Sequence, residues 1–500
     1  MKILLIYPPN KKSIVADMSD YFEDASGAYP PLGIMYIASY LIKNNIDKQH
    51  DIRMIDASCI DHPYENIIAV VEEFEPDLVG ITALTFNILD VLHILKDIKK
   101  SKKSILTVVG GPHPSIFPNE TLVFSEVDFI VQGEGEIAFS KIVSALENNS
   151  GFSDIPGLGY KVTNSTVNIN NQNQLIENLD LIPFPAVELL PNFIHLYKDV
   201  LSTKQKLRST IIISSRGCPF GCIYCDRPQM GKKFRARSAK NVVDEVEKYL
   251  TIFAIGHIKF FDDTFTVDKK RVYQICEEIK SRQLEFAWGI RAHVNTVDFP
   301  LLKAMYECGL KTISFGIESS DNEILKNLNK GSTVEGIERA VSFCKKLGIK
   351  VLGDFILGNP GESKKHILNT IKFAKRLRLD YAQFTIMTPY PHTKLYTDGL
   401  QKGIIKHDYW KNFAINPSSD FVTPVWEENL SKAELVDLLK KAYRDFYFRP
   451  RYLLKRVSEL RSITDLLSKI KVFFLLFKLI FSSARKLSVN FKKGLQTRSI

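Results

Sequence analysis

The 500-residue sequence has few cysteines and no long apolar run. Seven cysteines in so long a chain cannot form a disulfide framework, which excludes the class of small disulfide-rich secreted proteins. No predominantly apolar stretch reaches the ~20 residues of a membrane-spanning helix. The first apolar run ends at Pro8 and Pro9 and is too short for a secretory signal, so we expect the chain to stay in the cytoplasm.

The body of the chain also lacks net charge. The formal net charge is +11, and residues 449–500 account for all of it with 13 Lys or Arg against 2 Asp or Glu. A neutral body argues against nucleic acid as a partner. The basic tail instead favours a local contact with an anionic surface.

The pattern of apolar runs predicts an α/β chain with two main domains. Residues 1–148 alternate five short apolar runs with helical patterns, which is typical of a doubly wound, Rossmann-like sheet. Six further strand candidates over residues 206–395 predict a partial (β/α)6 barrel, with active residues at the carboxyl ends of its strands. We expect a hairpin and linker at 149–205, an accessory helical segment at 396–448 and a basic amphipathic tail at 449–500.

Three of the cysteines follow the first predicted barrel strand. Cys218, Cys222 and Cys225 are spaced C-x3-C-x2-C, and thiolates on one loop can bind three irons of a [4Fe–4S] cluster while leaving the fourth iron open. Gly217 and Gly221 would let the backbone pass close to the cluster. The alternatives are cysteines packed in a core and a zinc site, for which no nearby His or Cys supplies a fourth ligand.

This loop, with Tyr224 before its last cysteine, resembles the signature of the radical S-adenosylmethionine superfamily, and the resemblance extends over residues 209–395. It implies that the open iron chelates S-adenosylmethionine and that one electron releases a 5′-deoxyadenosyl radical. Further roles that the resemblance implies fall on strand ends: Asp262 and Asp263 for the methionyl amino group, Arg291 for its carboxylate, Glu318 for the ribose, and Gly358 near the adenine. From the residues alone, Asp263 could cap a helix, Arg291 could form a salt bridge and the Gly358 segment could be a turn.

Residues 1–148 resemble cobalamin-binding domains, because glycine-bearing strand ends would let a large planar ligand approach the backbone. The cofactor-binding residues predicted from this resemblance are Thr82, Leu84, Gly110, Gly111, His113, Ser115, Gly133, Glu134 and Gly135. The D-x-H-x-x-G pattern that supplies a lower histidine ligand to cobalt is absent, since Asp90 and His93 are spaced D-x-x-H. We therefore expect cobalt without a histidine below it. Alternatively, the glycines serve turns, His113 anchors its own loop, and the domain has lost its cofactor.

Together the two domains resemble the class B, cobalamin-dependent radical S-adenosylmethionine enzymes, similar to anaerobic magnesium-protoporphyrin monomethyl ester cyclase-like and hopanoid-modifying members. The resemblance implies functionalisation of an unactivated carbon, most simply C-methylation with cobalamin as the methyl carrier. One alternative is cobalamin-assisted cyclisation or rearrangement of a tetrapyrrole or lipid without methyl transfer. Another is a cobalamin-binding regulator with a vestigial barrel.

The tail suggests a further partner. Residues 470–481, IKVFFLLFKLIF, are too short to cross a bilayer, and Lys471, Lys478 and Arg485 would form one basic stripe on a helix. Such a helix suits an anionic membrane interface, and docking on a protein surface is an equal alternative. The predicted partners are a small-molecule substrate of lipidic or tetrapyrrole class, an electron donor such as flavodoxin or ferredoxin, and the inner face of the membrane, with no nucleic acid.

Overall fold

In its described residues, the computed structural model contains two large sheets, one for each predicted domain, and one two-stranded ribbon, which confirms the α/β fold. It describes residues 1–14, 29–44, 50–163, 166–170, 175–190, 193, 197, 208–226 and 230–458.

The N-terminal sheet has the strand order β2-β1-β3-β4-β5-β6-β7. Its five parallel strands are the five predicted apolar runs: β1 (Lys2–Tyr7), β2 (Asp51–Asp56), β3 (Leu78–Thr82), β4 (Leu106–Gly110) and β5 (Phe129–Val131). Helices cover both faces, with α1 (Leu32–Asn44) and α6 (Gly135–Asn148) packed together in one core and α2 (Pro63–Phe74) and α3 (Ile88–Ser101) in the other. Two short helices, α4 (Pro112–Ile116) and α5 (Pro118–Leu122), follow β4.

An antiparallel hairpin, β6 (Leu158–Lys161) and β7 (Val167–Ile169), pairs with β5 and completes this sheet. The sequence predicted a hairpin here but assigned it to the linker. The sheet therefore continues to Ile169, past the boundary predicted at residue 148.

The second sheet is an open half-barrel of six parallel strands in the order β15-β14-β13-β12-β11-β8. All six predicted strands are present: β8 (Arg208–Ile212), β11 (Ile255–Phe260), β12 (Ala287–Ala292), β13 (Leu310–Glu318), β14 (Lys350–Leu357) and β15 (Tyr381–Ile386). The helices between them are α7 (Ala239–Phe253), α8 (Lys269–Ser281), α9 (Phe299–Glu307), α10 (Asn322–Asn327), α11 (Val334–Leu347) and α12 (Lys364–Arg376). A short ribbon of β9 (Ser215–Arg216) and β10 (Arg235–Ala236) flanks the cysteine loop.

Tyrosine hydroxyls cover the open edge of β15. Tyr443 donates to the carbonyl of Phe384 at 2.8 Å and accepts from its N–H at 3.0 Å. Tyr447, one helical turn later in α15 (Lys432–Tyr447), does the same for Ala382. Because an edge strand otherwise exposes unpaired backbone groups, this helix takes the place of a seventh strand.

The rest of the predicted accessory segment packs against the N-terminal domain. It contains α13 (Lys394–Gln401) and α14 (Tyr409–Ile415), and the buried Trp410 and Phe413 of α14 lie in the core that α2 and α3 cover. A last helix, α16 (Pro450–Ser458), follows α15. None of the helices in the described part of the chain combines the length and apolar composition that crossing a bilayer requires. The predicted tail helix at 470–481 lies outside the described residues.

Candidate functional site

The cysteine loop begins after β8 and is closed by the antiparallel β9–β10 ribbon. In this ribbon the backbone of Arg216 lies opposite that of Arg235. Gly217 has φ +81°, and a Cβ there would lie 2.3 Å from the carbonyl oxygen of Lys233. A Cβ on Gly221 would lie 2.6 Å from Nδ2 of Asn329. Glycine is required where the loop meets its two neighbours, because any side chain would collide with them.

None of the three cysteines of the loop forms a disulfide bond. Cys218 and Cys222 are half-buried and Cys225 is exposed, and Sγ of Cys218 lies 3.6 Å from Oγ1 of Thr264. Within the described ranges, no three His, Cys, Asp or Glu side chains converge on a single ion, as the zinc alternative would need. A [4Fe–4S] cluster takes one thiolate per iron, so three separate thiols on a close-packed loop fit it.

A buried triad lies beside the loop. Tyr224 donates from its hydroxyl to Oε1 of Glu318 at 2.8 Å, and Nζ of Lys330 donates to the same oxygen at 2.7 Å. Nζ of Lys330 also lies 3.1 Å from the Tyr224 hydroxyl. Burial opposes the charged ammonium, yet the Glu318 carboxylate keeps the pKa of Lys330 above its usual value. Two residues predicted from the resemblance, Tyr224 and Glu318, are thus brought together by one that the sequence did not indicate.

The backbone around Lys330 also holds the cysteine loop. Ile223 donates its N–H to the carbonyl of Leu328 at 3.1 Å, and the Asn329 side chain donates to the carbonyl of Gly221 at 2.8 Å. The segment 328–331 therefore fixes the loop from the side opposite the ribbon.

His293 supports both segments. Its ring stacks on Phe220 of the cysteine loop at a centroid distance of 4.0 Å, and its Nε2 lies 3.0 Å from the carbonyl of Lys330. Burial and the Lys330 charge lower the pKa of His293 to about 4, so the imidazole is neutral near pH 7. Nδ1 accepts the N–H of Asn295, which leaves Nε2 as the donor. No local sequence pattern indicated this residue, because a histidine next to a strand end has no distinguishing neighbours.

The two aspartates after β11 differ. Asp262 is buried and accepts hydrogen bonds from the backbone N–H and hydroxyl of Ser214 and from the hydroxyl of Ser215, at 2.6–2.7 Å. The oxygens of Asp262 thus support the backbone that leads into the cysteine loop, and the contact of Asp262 with a methionyl amino group stays a prediction. Asp263 is exposed, and the next helix is capped by Asp268, so the capping alternative for Asp263 is wrong.

Arg291 lies on the open face of the half-barrel. Its guanidinium is exposed and stacks over the ring of Phe261 at 4.5 Å. It forms no ion pair within 4 Å with any residue in the described ranges, so the predicted salt bridge is not found there. Nearby on the same face, burial and the Glu318 charge raise the pKa of Asp354 to about 6 against the attraction of Arg291.

The segment after β14 forms a tight turn. Gly358 has φ +83°, and Glu362 accepts the backbone N–H groups of Gly358 at 2.7 Å and of Asn359 at 3.0 Å. Burial raises the pKa of Glu362 to about 7. The turn that the sequence allowed as an alternative is therefore present, and the Glu362 carboxylate fixes it. Contact of Gly358 with adenine stays a prediction.

The loops at the carboxyl ends of β3 and β4 pack closely against each other in the N-terminal domain. Gly111 has φ +100°, and a Cβ there would lie 2.7 Å from the carbonyl oxygen of Ala83 and 2.8 Å from Oγ1 of Thr82. At Gly110, in contrast, no atom lies within 4 Å of a Cβ position. Leu84 exposes 39% of its surface at the same end. An open backbone next to an exposed apolar side chain fits a large planar cofactor such as cobalamin.

His113 does not lie at this surface. It is fully buried, its Nδ1 lies 3.2 Å from Oγ1 of Thr85, and burial lowers its pKa to about 3. His113 thus joins its loop to the loop after β3, and its contact with a cofactor stays a prediction. Ser115 ties this loop to the next one, because its hydroxyl donates to the carbonyl of Gly111 and accepts the N–H of Gly133.

Glu134 also points away from the open sheet edge. Its carboxylate is buried against Arg216 and Arg235 of the other domain, so the side chain is not available to a cofactor. Gly133 has φ +72°, which lets the backbone turn after β5. Gly135 is the first residue of α6, and a Cβ there would lie 3.0 Å from Cδ1 of Ile37.

Asp90 fixes the loop after β1, the region where the D-x-H-x-x-G pattern would lie. Its carboxylate accepts the N–H of Lys12 at 3.0 Å and bonds to the hydroxyls of Ser13 and Tyr64. His93 lies 3.6 Å from Asp97 on the surface of α3. Neither residue of the D-x-x-H pair is thus directed toward a ligand.

Known protein families match both domains. The model of the radical SAM superfamily matches residues 212–374, and that of the B12 binding domain matches residues 18–143. An uncharacterized methyltransferase of Pyrococcus horikoshii is 36% identical over 462 residues, which cover 92% of this chain and 95% of the relative. The anaerobic magnesium-protoporphyrin IX monomethyl ester cyclase of Rubrivivax gelatinosus is 28% identical over 460 residues, 91% of this chain and 78% of the relative.

A solved structure has the same two-domain fold. The cobalamin-dependent S-adenosylmethionine radical enzyme OxsB, with aqua-cobalamin and S-adenosylmethionine bound, superposes with a TM-score of 0.71 over 99% of this chain and 75% of that chain, at 16% identity. At that identity the likeness shows the shared fold alone.

Proposed function

The chain belongs to the radical S-adenosylmethionine enzymes that carry a B12-binding domain, and from this premise we propose that it methylates an unactivated carbon of a small molecule. One observation carries the proposal: a single chain holds a three-thiol loop beside the Tyr224–Glu318–Lys330 triad and a second sheet edge open to a planar cofactor. When bound, the cluster supplies the electron that cleaves the sulfonium of S-adenosylmethionine, and cobalamin supplies the methyl carrier.

The cysteine loop and its neighbours hold the cluster and S-adenosylmethionine. Cys218, Cys222 and Cys225 would each bind one iron, and the glycine contacts of the loop would keep their spacing. Lys330 and Tyr224 hold the Glu318 carboxylate in one orientation, in which it would face the ribose. A carboxylate can accept hydrogen bonds from both ribose hydroxyls.

Two exposed charges are proposed for the methionyl group. Asp263 would bind the ammonium, because Asp262 is occupied within the protein. Arg291 would bind the carboxylate, since its guanidinium is exposed on the open face and a planar fork suits a carboxylate. The turn that Glu362 fixes at Gly358 would lie against the adenine.

The second candidate is cyclisation without methyl transfer, which the cyclase among the relatives favours. Both reactions use the same loops. The relatives are methyltransferases and a cyclase, and this chain is an enzyme of that kind rather than a regulator with a vestigial barrel.

Product analysis separates the two candidates. Protein reconstituted anaerobically with iron, sulfide and cobalamin is incubated with dithionite and S-adenosylmethionine. Methylation predicts 5′-deoxyadenosine together with S-adenosylhomocysteine that forms only when cobalamin is present, whereas cyclisation predicts 5′-deoxyadenosine alone. Cys218→Ser should remove the deoxyadenosine. If fully loaded wild-type protein forms no deoxyadenosine, the proposal is wrong.

For partners, we propose a reduced flavodoxin or ferredoxin as electron donor and an anionic membrane surface for the tail. The start of the tail is already engaged by the body: Arg449 stacks over Phe446 at 4.2 Å, and Lys455 forms a 2.8 Å ion pair with Asp380. The proposed lipid contact therefore belongs to residues 459–500. Truncation after Ser458 should abolish sedimentation with phosphatidylglycerol vesicles, and equal sedimentation of the truncated chain would refute the contact.

A further inference from the structure

Four buried charges join the two domains next to the cysteine loop. This interdomain charge cluster consists of Glu134 and Glu136 from the N-terminal domain and Arg216 and Arg235 from the β9–β10 ribbon. Arg216 donates to Glu134 at 2.9 Å and to Glu136, and Arg235 donates to Glu134 at 2.8 Å. The four side chains are between 1% and 6% exposed.

The linker completes the cluster. Ile176 donates its N–H to Oε2 of Glu134 at 2.7 Å and accepts from Arg235 at 2.7 Å. Burial alone would raise the pKa of Glu134, but the Arg235 hydrogen bonds and the Arg216 charge hold it below its usual value. With two basic and two acidic side chains, the interdomain charge cluster has no formal net charge.

Such a cluster is a costly way to join two domains. Removing charged groups from water opposes association, and apolar residues of similar volume often stabilise an interface as well or better. Charged pairs differ from apolar contacts in that they require one register, because a displaced partner leaves a charge buried and unpaired. The cluster therefore favours one relative position of the domains.

The residues of the cluster adjoin both cofactor loops. Glu134 precedes α6 and Glu136 lies in its first turn, and the adjacent Gly133 is tied through Ser115 to Gly111, next to the open backbone at Gly110. Arg216 is two residues before Cys218. Hydrogen bonds and short backbone segments together thus connect the sheet edge proposed for cobalamin to the loop proposed for the iron–sulfur cluster.

We propose that the interdomain charge cluster holds the cobalamin loops and the cysteine loop at one fixed separation, so that both cofactors act on the same substrate atom. The inference rests on the proposed function in that it requires both cofactors to bind. Glu134, Glu136, Arg216 and Arg235 are positioning residues in this scheme and touch neither cofactor.

A spin-relaxation measurement tests the separation without knowledge of the substrate. Cob(II)alamin and the reduced iron–sulfur cluster are both paramagnetic. The iron–sulfur cluster accelerates the relaxation of the cob(II)alamin spin, and this effect depends steeply on the distance between the two cofactors. Wild-type protein loaded with both cofactors should show a single relaxation rate. Arg216→Met and the double variant Glu134→Gln/Glu136→Gln should lose the single rate and show a distribution of rates.

Control variants distinguish a change in the relative position of the domains from a loss of folding and from a loss of bound cofactor. Arg282 bonds to Asp244, Glu247 and Glu278 within the half-barrel alone, so Arg282→Met removes a comparable set of ion pairs and should keep the wild-type rate. Arg216→Lys keeps the charge and should restore a narrower distribution than Arg216→Met. Iron and cobalamin contents are measured for every variant. If Arg216→Met does not fold, Glu136→Gln, which leaves the Arg216–Glu134 pair intact, serves in its place.

The outcomes distinguish this inference from the proposed function. Wild-type protein that binds no cobalamin, or forms no deoxyadenosine, refutes the proposed function. The positioning role is refuted if wild-type protein binds cobalamin and forms deoxyadenosine while variants of the interdomain charge cluster keep its single relaxation rate at full cofactor content. That result leaves the proposed function intact.

Discussion

Replacing Lys330 with methionine should weaken S-adenosylmethionine binding without removing the iron–sulfur cluster. The substitution preserves the length of the side chain and removes its charge. In the wild-type protein Nζ donates to Glu318 at 2.7 Å, and the two side chains are 10% and 6% exposed. Without the ammonium, the Oε1 atom of Glu318 keeps the Tyr224 hydroxyl and loses the Lys330 hydrogen bond, so its carboxylate is held less firmly.

The magnitude follows from the bonds that are lost. A hydrogen bond to a charged group contributes about 1.5–3 kcal/mol. If Glu318 binds the ribose, loss of its orientation should weaken binding by that amount, which is roughly a tenfold to 150-fold rise in Kd. Lys330→Arg keeps a charge beside Glu318 and should lose less.

Equilibrium dialysis of S-adenosylmethionine against the oxidised, reconstituted protein measures this effect, because no cleavage occurs without an electron. Lys326→Met is the matched control, since Lys326 is exposed in α10 four residues earlier in the chain. An unchanged Kd for Lys330→Met at full iron content would refute the argument that Lys330 orients Glu318.

Three other variants test separate parts of the structure. Gly111→Ala forces a Cβ to 2.7 Å from the carbonyl of Ala83 and should cost about 1–3 kcal/mol and most of the bound cobalamin, measured by visible absorption, whereas Gly151→Ala, with open space around it, should not. Tyr447→Phe leaves the backbone groups of Ala382 unpaired and should lower the free energy of unfolding of the half-barrel by about 1–3 kcal/mol in urea. Asp354 has a raised pKa of about 6, so its protonated form stabilises the fold at acid pH and this contribution is lost as the pH rises toward 6. Asp354→Asn should remove up to about 3 kcal/mol of this pH dependence, and an unchanged pH profile of stability would contradict the assignment.

The strands were predictable because each forms a short apolar run, and all eleven parallel strands lie where the sequence predicted them. The hairpin at Leu158–Ile169 was assigned to the segment between the domains, since nothing in the local sequence indicates that its first strand pairs with β5. Strand pairing is a tertiary property, and a polar hairpin next to a polar linker has no boundary in its composition.

The cysteine loop was predictable from its spacing, and its supporting residues were not. Asp262 and Asp263 are adjacent at a strand end, so the sequence could not decide which one is buried against Ser214. Lys330 lies 106 positions from Tyr224, and Glu134 lies 101 positions from Arg235. Pairs at that separation carry no local pattern, and a single lysine in a polar loop is typical of a solvated residue.

The choice between methylation and cyclisation must depend on residues other than those that bind the cofactors, because both reactions need the same loops. The open face of the half-barrel is the remaining surface, and it carries Lys259 on β11, Arg291 on β12 and Asp354 on β14. Lys259 lies 5.6 Å from the ring centroid of Phe261, and its Nζ lies 3.4 Å from the hydroxyl of Tyr29 in the N-terminal domain. Because Arg291 is proposed to bind the methionyl carboxylate, Lys259 is the cation on this face that we assign to the substrate, and a cation beside aromatic rings can bind an anionic or aromatic group. Substitutions at Lys259 should therefore change which substrate is consumed while the slow release of deoxyadenosine without substrate continues, because Lys259 belongs to neither cofactor loop.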